Sequence, residues 1–493
     1  MHSPSQKPSP FRPTWAILAL VGCLLPGVVD GAAYELINPT YLGGPQRNTY
    51  GNRLPGRLGV IWKLNLGTGH TRIGPELRLW KGAGWTGQPL LVKEDGELYL
   101  SLGANDHHLR KIRAATGEVI WQYAYDDVIK GTGSFYLNPH AENPADRLMV
   151  IQGSRLGVDS AFDQPIVPSL RAISFGTGKE LWRMNCRRTS TYSRDVDGSA
   201  LLLGDRGYLA LENSIFTVFS PDPASRRLRD GIPQPRIHKE IPFYEASDPR
   251  THGGNIECES SPTLLNGRVY TASGAGRVYG YSLKWNRVTW TFPIGSDLNA
   301  TMPVTNDGCL LLAVEKQFIP GPGGVFKLDP AKAPGKAVRW FFPTENVATG
   351  SFYEWQGGII GSVAINDRTA EETGGRPMAA FIGVDGFLYL VSSAELEAGS
   401  PGVGPDGKTK HPRPRLLDRV PLGAGSIATP IFVGNRIVAP YDKGLKLFEV
   451  SAEGKLSLLD AMTGSQFEAT PVCHEGRIYI ASLDGYLYCL GEG

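Results

Sequence analysis

Four side chains in this sequence have the type and position to hold a hard cation. Glu257 and Glu259 stand in "NIECESSP", Asn299 in "LNATMP" and Glu468 in "FEATP". Carboxylates with an amide oxygen are the donors that calcium or magnesium prefers, and all four precede a short alternating run that opens near a proline. Solvated residues at a channel mouth have the same composition with nothing bound, so the pattern specifies a place before it specifies a ligand. A second group is aromatic: Trp80 and Trp85 in "RLWKGAGWTGQP", Tyr353 and Trp355 in "FYEWQGGIIGSV". On loops, such residues act as contact anchors for a protein or a sugar, or else as packing.

Other patterns fail on their context. "GVGPDGKT" (402–409) has the spacing of a phosphate-binding loop, but the next residues, "KHPRPR", carry two prolines that forbid the helix such a loop requires. His107 and His108 in "NDHHL" are adjacent, so on a strand they would point to opposite sides, and a solvated turn explains them. Neither HExxH nor GxSxG occurs, and no nucleophile–base set stands out.

The elements that position these residues repeat. "SSPTLLNGRVYTASGAGRVYGYSL" (260–283) and "EATPVCHEGRIYIASLDGYLYCL" (468–490) share a small or hydroxyl residue before a proline, then three alternating runs separated by Gly-led turns. Alternation of this kind marks half-buried antiparallel strands. Units begin near Pro89, Pro262, Pro303, Pro430 and Pro471, and weaker ones near residues 132, 199 and 361. A second motif, Thr-Gly-x-x-x-Trp, ends in Trp121 and Trp182, and Trp62, Trp290 and Trp340 hold the corresponding place elsewhere. A tryptophan at a fixed point of a repeated β-unit fills the wedge between neighbouring sheets.

The reading is therefore an all-β, eight-bladed propeller of four-stranded antiparallel blades, with seven as the alternative count. It forms one domain over residues 34–493, with insertions around 140–168, 221–256, 366–377 and 394–415. The last unit lacks its Trp-bearing strand, whereas "GVIWKL" (59–64) near the N-terminus has no unit of its own. Strand 60–64 is expected to pair with Tyr486 to Leu490 and cover that edge.

Sixty-one glycines and 37 prolines beside 41% hydrophobic residues suit many short strands. Fifty basic and 48 acidic residues give a formal charge of +2, without a basic run that would indicate nucleic acid. Residues 1–33 have the basic, apolar and small-residue regions of an export signal, and no transmembrane span is expected in the mature chain. "LVGC" places Cys23 where a bacterial lipoprotein would carry its lipid, an alternative to plain cleavage. Five further cysteines, Cys186, Cys258, Cys309, Cys473 and Cys489, read as buried apolar residues with at most one or two bridges.

"LRKIRAATGEVIW", "LRAISFGTGKELW", "DGFLYLV" and "DGYLYCL" resemble the repeats of pyrroloquinoline quinone (PQQ)-type propellers. The resemblance implies one of two functions. Quinoprotein dehydrogenases hold PQQ and calcium above the ring axis with an adjacent Cys-Cys pair, a stacking Trp and a Glu/Asn/Asp set, and this chain has no Cys-Cys pair. Non-catalytic relatives of the BamB type act as scaffolds in outer-membrane protein assembly. The sequence reading is the second: a periplasmic or extracellular scaffold with a protein partner in the cell envelope and no cofactor. The alternatives are a PQQ-dependent oxidoreductase and a glycan- or surface-binding module.

Overall fold

The computed structural model describes residues 32–492 apart from Glu354. Cys23 and nearly all of the expected export segment lie outside the described residues. Eight antiparallel sheets form the blades of a β-propeller. Their local construction follows from the turns. In the fourth blade, Thr263–Leu265 and Arg268–Ser273 are joined by Asn266 and Gly267 at φ 48° and 72°, the left-handed pair that matches the twist of a two-residue hairpin. The strands Arg277–Ser282 and Arg287–Pro293 complete that sheet.

Two blades depart from four strands. The first gains Tyr34–Asn38 beside its innermost strand, Leu90–Glu94. The fifth has three, Leu310–Val314, Gly324–Leu328 and Val338–Pro343, and its innermost strand shrinks to a bridge between Val304 and Leu310. Gly59–Asn65 pairs antiparallel with Tyr486–Gly491, setting Trp62 opposite Cys489 with a bulge after Val60.

The expected insertions contain more regular structure than the sequence suggests. Within 140–168, Leu148–Gly153 is an integral strand of the second blade, so the insertion is two loops flanking it. Within 221–256, Ile237–Pro242 is the outer strand of the third blade, standing where other blades carry a tryptophan, and Arg227–Arg229 with Ile232–Gln234 forms a ribbon. The 394–415 stretch holds the end of Phe387–Leu396, the start of Pro414–Pro421 and the ribbon Gly402–Val403 with Lys410–His411. Residues 366–377 are a loop with one 3-10 turn, Ala370–Thr373. All five described cysteines are buried and free, as small apolar residues would be, and none of them forms a bridge.

The five blade tryptophans each reach into the next blade. Trp62, Trp121, Trp182, Trp290 and Trp340 donate their indole N–H to the carbonyls of Ala114, Phe175, Pro221, Lys332 and Ser393 respectively. Gly117 and Gly178, at φ 76° and 68°, lie against the rings of Trp62 and Trp121, where an added Cβ would come within 2.8 and 3.0 Å. The Thr-Gly of one unit is therefore the seat for the tryptophan of the unit before it.

A second belt joins the blades at the axis. From the third blade to the seventh, the backbone N–H of the hydroxyl residue that opens one unit donates to the hydroxyl of its counterpart in the next. Ser199 N–H donates to Ser261, Ser261 to Thr301, Thr301 to Ser362, and Ser362 to Thr429, at 2.7–2.9 Å. The residues 39–53 fill the axis on one side of this belt. Tyr41, Leu42 and Arg47 are fully buried, and the segment bonds to every blade, through Gln88, Ser134, Ser199, Leu264, Val304, Ile365, Thr429 and Cys473. Arg47 anchors it: its guanidinium donates to Thr40 Oγ1, Tyr41 O, Pro262 O and Ser199 O at 2.6–3.0 Å. The axial channel is thus stoppered on that side and open on the other.

Candidate functional site

Two residues before each belt position, one residue per blade holds an equivalent place on the side of the open mouth. In blade order these are Gly84, Lys130, Asp197, Glu259, Asn299, Ile360, Ile427 and Glu468. The ring is polar from the second blade to the fifth and apolar at the sixth and seventh.

Charge concentrates on the polar side. Lys130 Nζ lies 2.5 Å from Asp197 Oδ2 and 3.8 Å from Glu259 Oε1. Oxygens of Asp197, Glu212 and Glu259 lie within 4.8 Å of one another, and the Lys130 ammonium pairs with the first and third of these but not with Glu212. Asn299, in the amide orientation that satisfies its neighbours, donates to Glu259 Oε2 at 2.9 Å and to Asp297 Oδ1 at 3.1 Å. Burial opposes Lys130's charge, but Asp197, Glu212 and Glu259 more than compensate, so its pKa is raised. Burial first, and neighbouring carboxylates second, push Glu212 well above the carboxylate range. Glu259 is raised as well, by burial and by Asp197, against the pull of Lys130. Burial and Asp297 bring Glu257 to about 7, and burial brings Asp297 to about 6. Glu468 reaches about 7 through burial and then Asp442. Among the described residues, Glu212 Oε1 and Glu257 Oε2 have no hydrogen-bond partner.

A hairpin, Thr68–Ile73 with Glu76–Lys81, crosses the mouth. Asn105 Nδ2 holds it by donating to Lys81 O at 2.8 Å, and Arg155 Nη1 donates to Thr71 Oγ1 at 3.1 Å. Beneath it lie two cavities, of 670 and 500 Å3, that share Trp80, Lys130 and Glu259 in their walls. The larger is walled by Trp85, Trp355, Ile360, Ile427 and Glu468, the smaller by Arg155, Glu212 and Glu257.

The structure brings Glu257, Glu259 and Glu468 to these cavities and sets Asn299 beside Glu259. Of the four aromatic candidates, Trp80 and Trp355 border a cavity, Tyr353 is exposed on the loop just before Trp355, and Trp85 is buried as wall. Burial removes Trp85 as an exposed contact anchor. Sequence reasoning missed Lys130, Asp197 and Glu212. The first two occupy the register of Glu259, two positions before a hydroxyl residue, but "KGTGS" and "DVDGSA" lack the proline that made other units visible.

The family described as outer membrane protein assembly factor BamB matches residues 59–332, more than half of the chain. The crystal structure of BamB from Moraxella catarrhalis superimposes with a TM-score of 0.53 at 11% identity, covering 88% of this chain and 100% of that one. Quinohemoprotein alcohol dehydrogenase from Comamonas testosteroni gives 0.57 at 14% identity, over 92% of this chain and 81% of that one. The computationally designed Ika8 protein gives 0.50 at 11%, over 84% and 100%. At these identities the structural likeness shows the fold alone. No curated protein matches the sequence.

Proposed function

The chain belongs to the PQQ-repeat family described as outer membrane protein assembly factor BamB, and from that membership we propose that it is an exported, non-catalytic propeller that holds a protein partner in the cell envelope. The observation that carries this reading is the open mouth of the axis. Its other side is stoppered by residues 39–53, while the hairpin and loops around the mouth expose apolar side chains: Leu79 at 53%, Tyr192 at 59%, Val347 at 47% and Tyr353 at 72%. Rigid blades presenting apolar loops on one face are the architecture of a docking surface.

The charges of the mouth count against PQQ. Its three carboxylates would meet Glu259, Glu468 and Glu212, with Lys130 already engaged by Asp197 and Arg155 by Asp195 at 2.7 Å. The chain also lacks the adjacent cysteine pair.

A photocrosslinking residue at Leu79 or Tyr353, introduced in the native host, tests the scaffold reading. Trp285, 61% exposed in the turn after Arg277–Ser282 on the opposite side of the blade, is the control position. Adducts with an outer-membrane barrel protein from the mouth positions and not from Trp285 are expected. Adducts from Trp285 alone, or from none of the three, would sink the proposal.

A further inference from the structure

The hairpin-covered cavities carry an imbalance that the scaffold reading does not use. Lys130 is paired with Asp197, and Arg155 with Asp195. Arg72, the third cation on the wall of the smaller cavity, donates to Val158 O, so among the described residues no cation lies within 4 Å of Glu212 or Glu257, while Glu259 has Lys130 at 3.8 Å. Glu212 and Glu257 are only 2% and 6% exposed, and each keeps one oxygen with no donor. A buried acceptor left unbonded is costly, and two of them on the wall of one cavity point to a ligand that brings donors and positive charge. The adjoining cavity supplies the opposite environment: Trp80, Trp85, Ile360 and Ile427 form an apolar wall that continues directly from the carboxylates, with Trp80 common to both.

We propose that the two cavities form a single receptor for a primary alkylammonium group, the ammonium donating to Glu212 and Glu257 while the alkyl body lies along Trp80 and the apolar wall. A quaternary ammonium would satisfy the charge but has no N–H to donate. A bare metal ion would leave the apolar half of the space unused. Cation–aromatic attraction adds to binding where the charge passes over an indole. The ammonium can come from a lysine side chain on a partner or from a free amine, and the inference stands apart from the scaffold reading.

The test uses the full mature chain, with tryptophan fluorescence and titration calorimetry. n-Pentylamine is the probe, 1-pentanol its uncharged counterpart, calcium chloride the metal control and Nα-acetyl-lysine methylamide the side-chain mimic. Saturable binding of pentylamine but not of pentanol is expected, weakened ~10-fold or more by Glu257→Gln, which removes a charge-assisted hydrogen bond. Trp355→Ala, at a residue 37% exposed on the cavity rim, weakens binding without unfolding and serves if the Glu257 variant does not fold. Tighter binding of the lysine mimic assigns the site to a partner's side chain, and tighter binding of the free amine assigns it to a solute. Equal binding of pentanol, binding of calcium alone, or no saturation with any probe would each overturn the proposal.

Discussion

Replacing Arg47 by methionine tests whether the segment through the axis holds the ring together. The substitution keeps most of the volume and removes four donated bonds, to Thr40 Oγ1, Tyr41 O, Pro262 O and Ser199 O. At a net ~1 kcal/mol per bond the loss is ~4 kcal/mol. Among the described residues no carboxylate partners this guanidinium, and burial lowers its pKa to about 9, so removing it also relieves a desolvation cost and returns ~1 kcal/mol or more. The expected destabilisation is ~3 kcal/mol. With an unfolding entropy of ~2.1 cal/mol/K per residue over roughly 460 described residues, about 1 kcal/mol shifts Tm by ~1 °C, so calorimetry should show a fall of ~3 °C. Amide exchange should report the cause: the N–H groups of Leu42, Leu264 and Val304, bonded to or from this segment, become less protected, while the outer strands do not change. An unchanged Tm together with unchanged exchange at these three amides would refute the reasoning.

Two further outcomes follow from the same geometry. Ser261→Ala removes the acceptor for the buried Ser199 N–H and should cost ~1–3 kcal/mol in urea unfolding, whereas Ser261→Thr, the residue found at the equivalent belt position of other blades, should cost less; equal losses would argue against the belt. Glu257 and Glu468 have folded pKa values of about 7, above the ordinary 4.5, so the folded state binds more protons than the unfolded one between those values and stability falls as pH rises from 4.5 through 7. Thermal melts should therefore give a higher Tm at pH 5 than at pH 8, and Glu468→Gln should reduce the difference; a Tm that rises across this interval would contradict the burial of these groups.

The parts of the fold legible in the sequence are those fixed by near neighbours. Alternation, Gly-led turns and the Thr-Gly-x-x-x-Trp spacing each act within about a dozen residues, and they located all eight blades. Leu148–Gly153 and Ile237–Pro242 were hidden for the same reason: flanking prolines and polar loops signalled insertion, while the pairing that makes them strands comes from partners elsewhere in their sheets. The place of the axial segment was not legible. "YLGGPQRNTYG" resembles the lead-in of secreted propellers of this type, but only the closed ring converts Arg47, Asn48 and Tyr50 into buried residues bonded across hundreds of positions. The site was half visible. Glu257, Glu259 and Glu468 stand near prolines that mark a unit, but Lys130, Asp197 and Glu212 required the ring to bring them within reach of one another.

The two sides of the belt also divide the work. Arg47 engages only neutral acceptors from within the stopper and its neighbours, so its donors are committed and cannot satisfy the carboxylates at the open mouth. Lys130 and Arg155 are committed in turn to Asp197 and Asp195. With the stopper and the tryptophan seats joining the blades, the mouth residues are not needed to close the ring, and a cluster of buried carboxylates can persist there although it opposes folding. Glu212 and Glu257 retain free oxygens facing a cavity, and a group that arrives from outside is what can satisfy them.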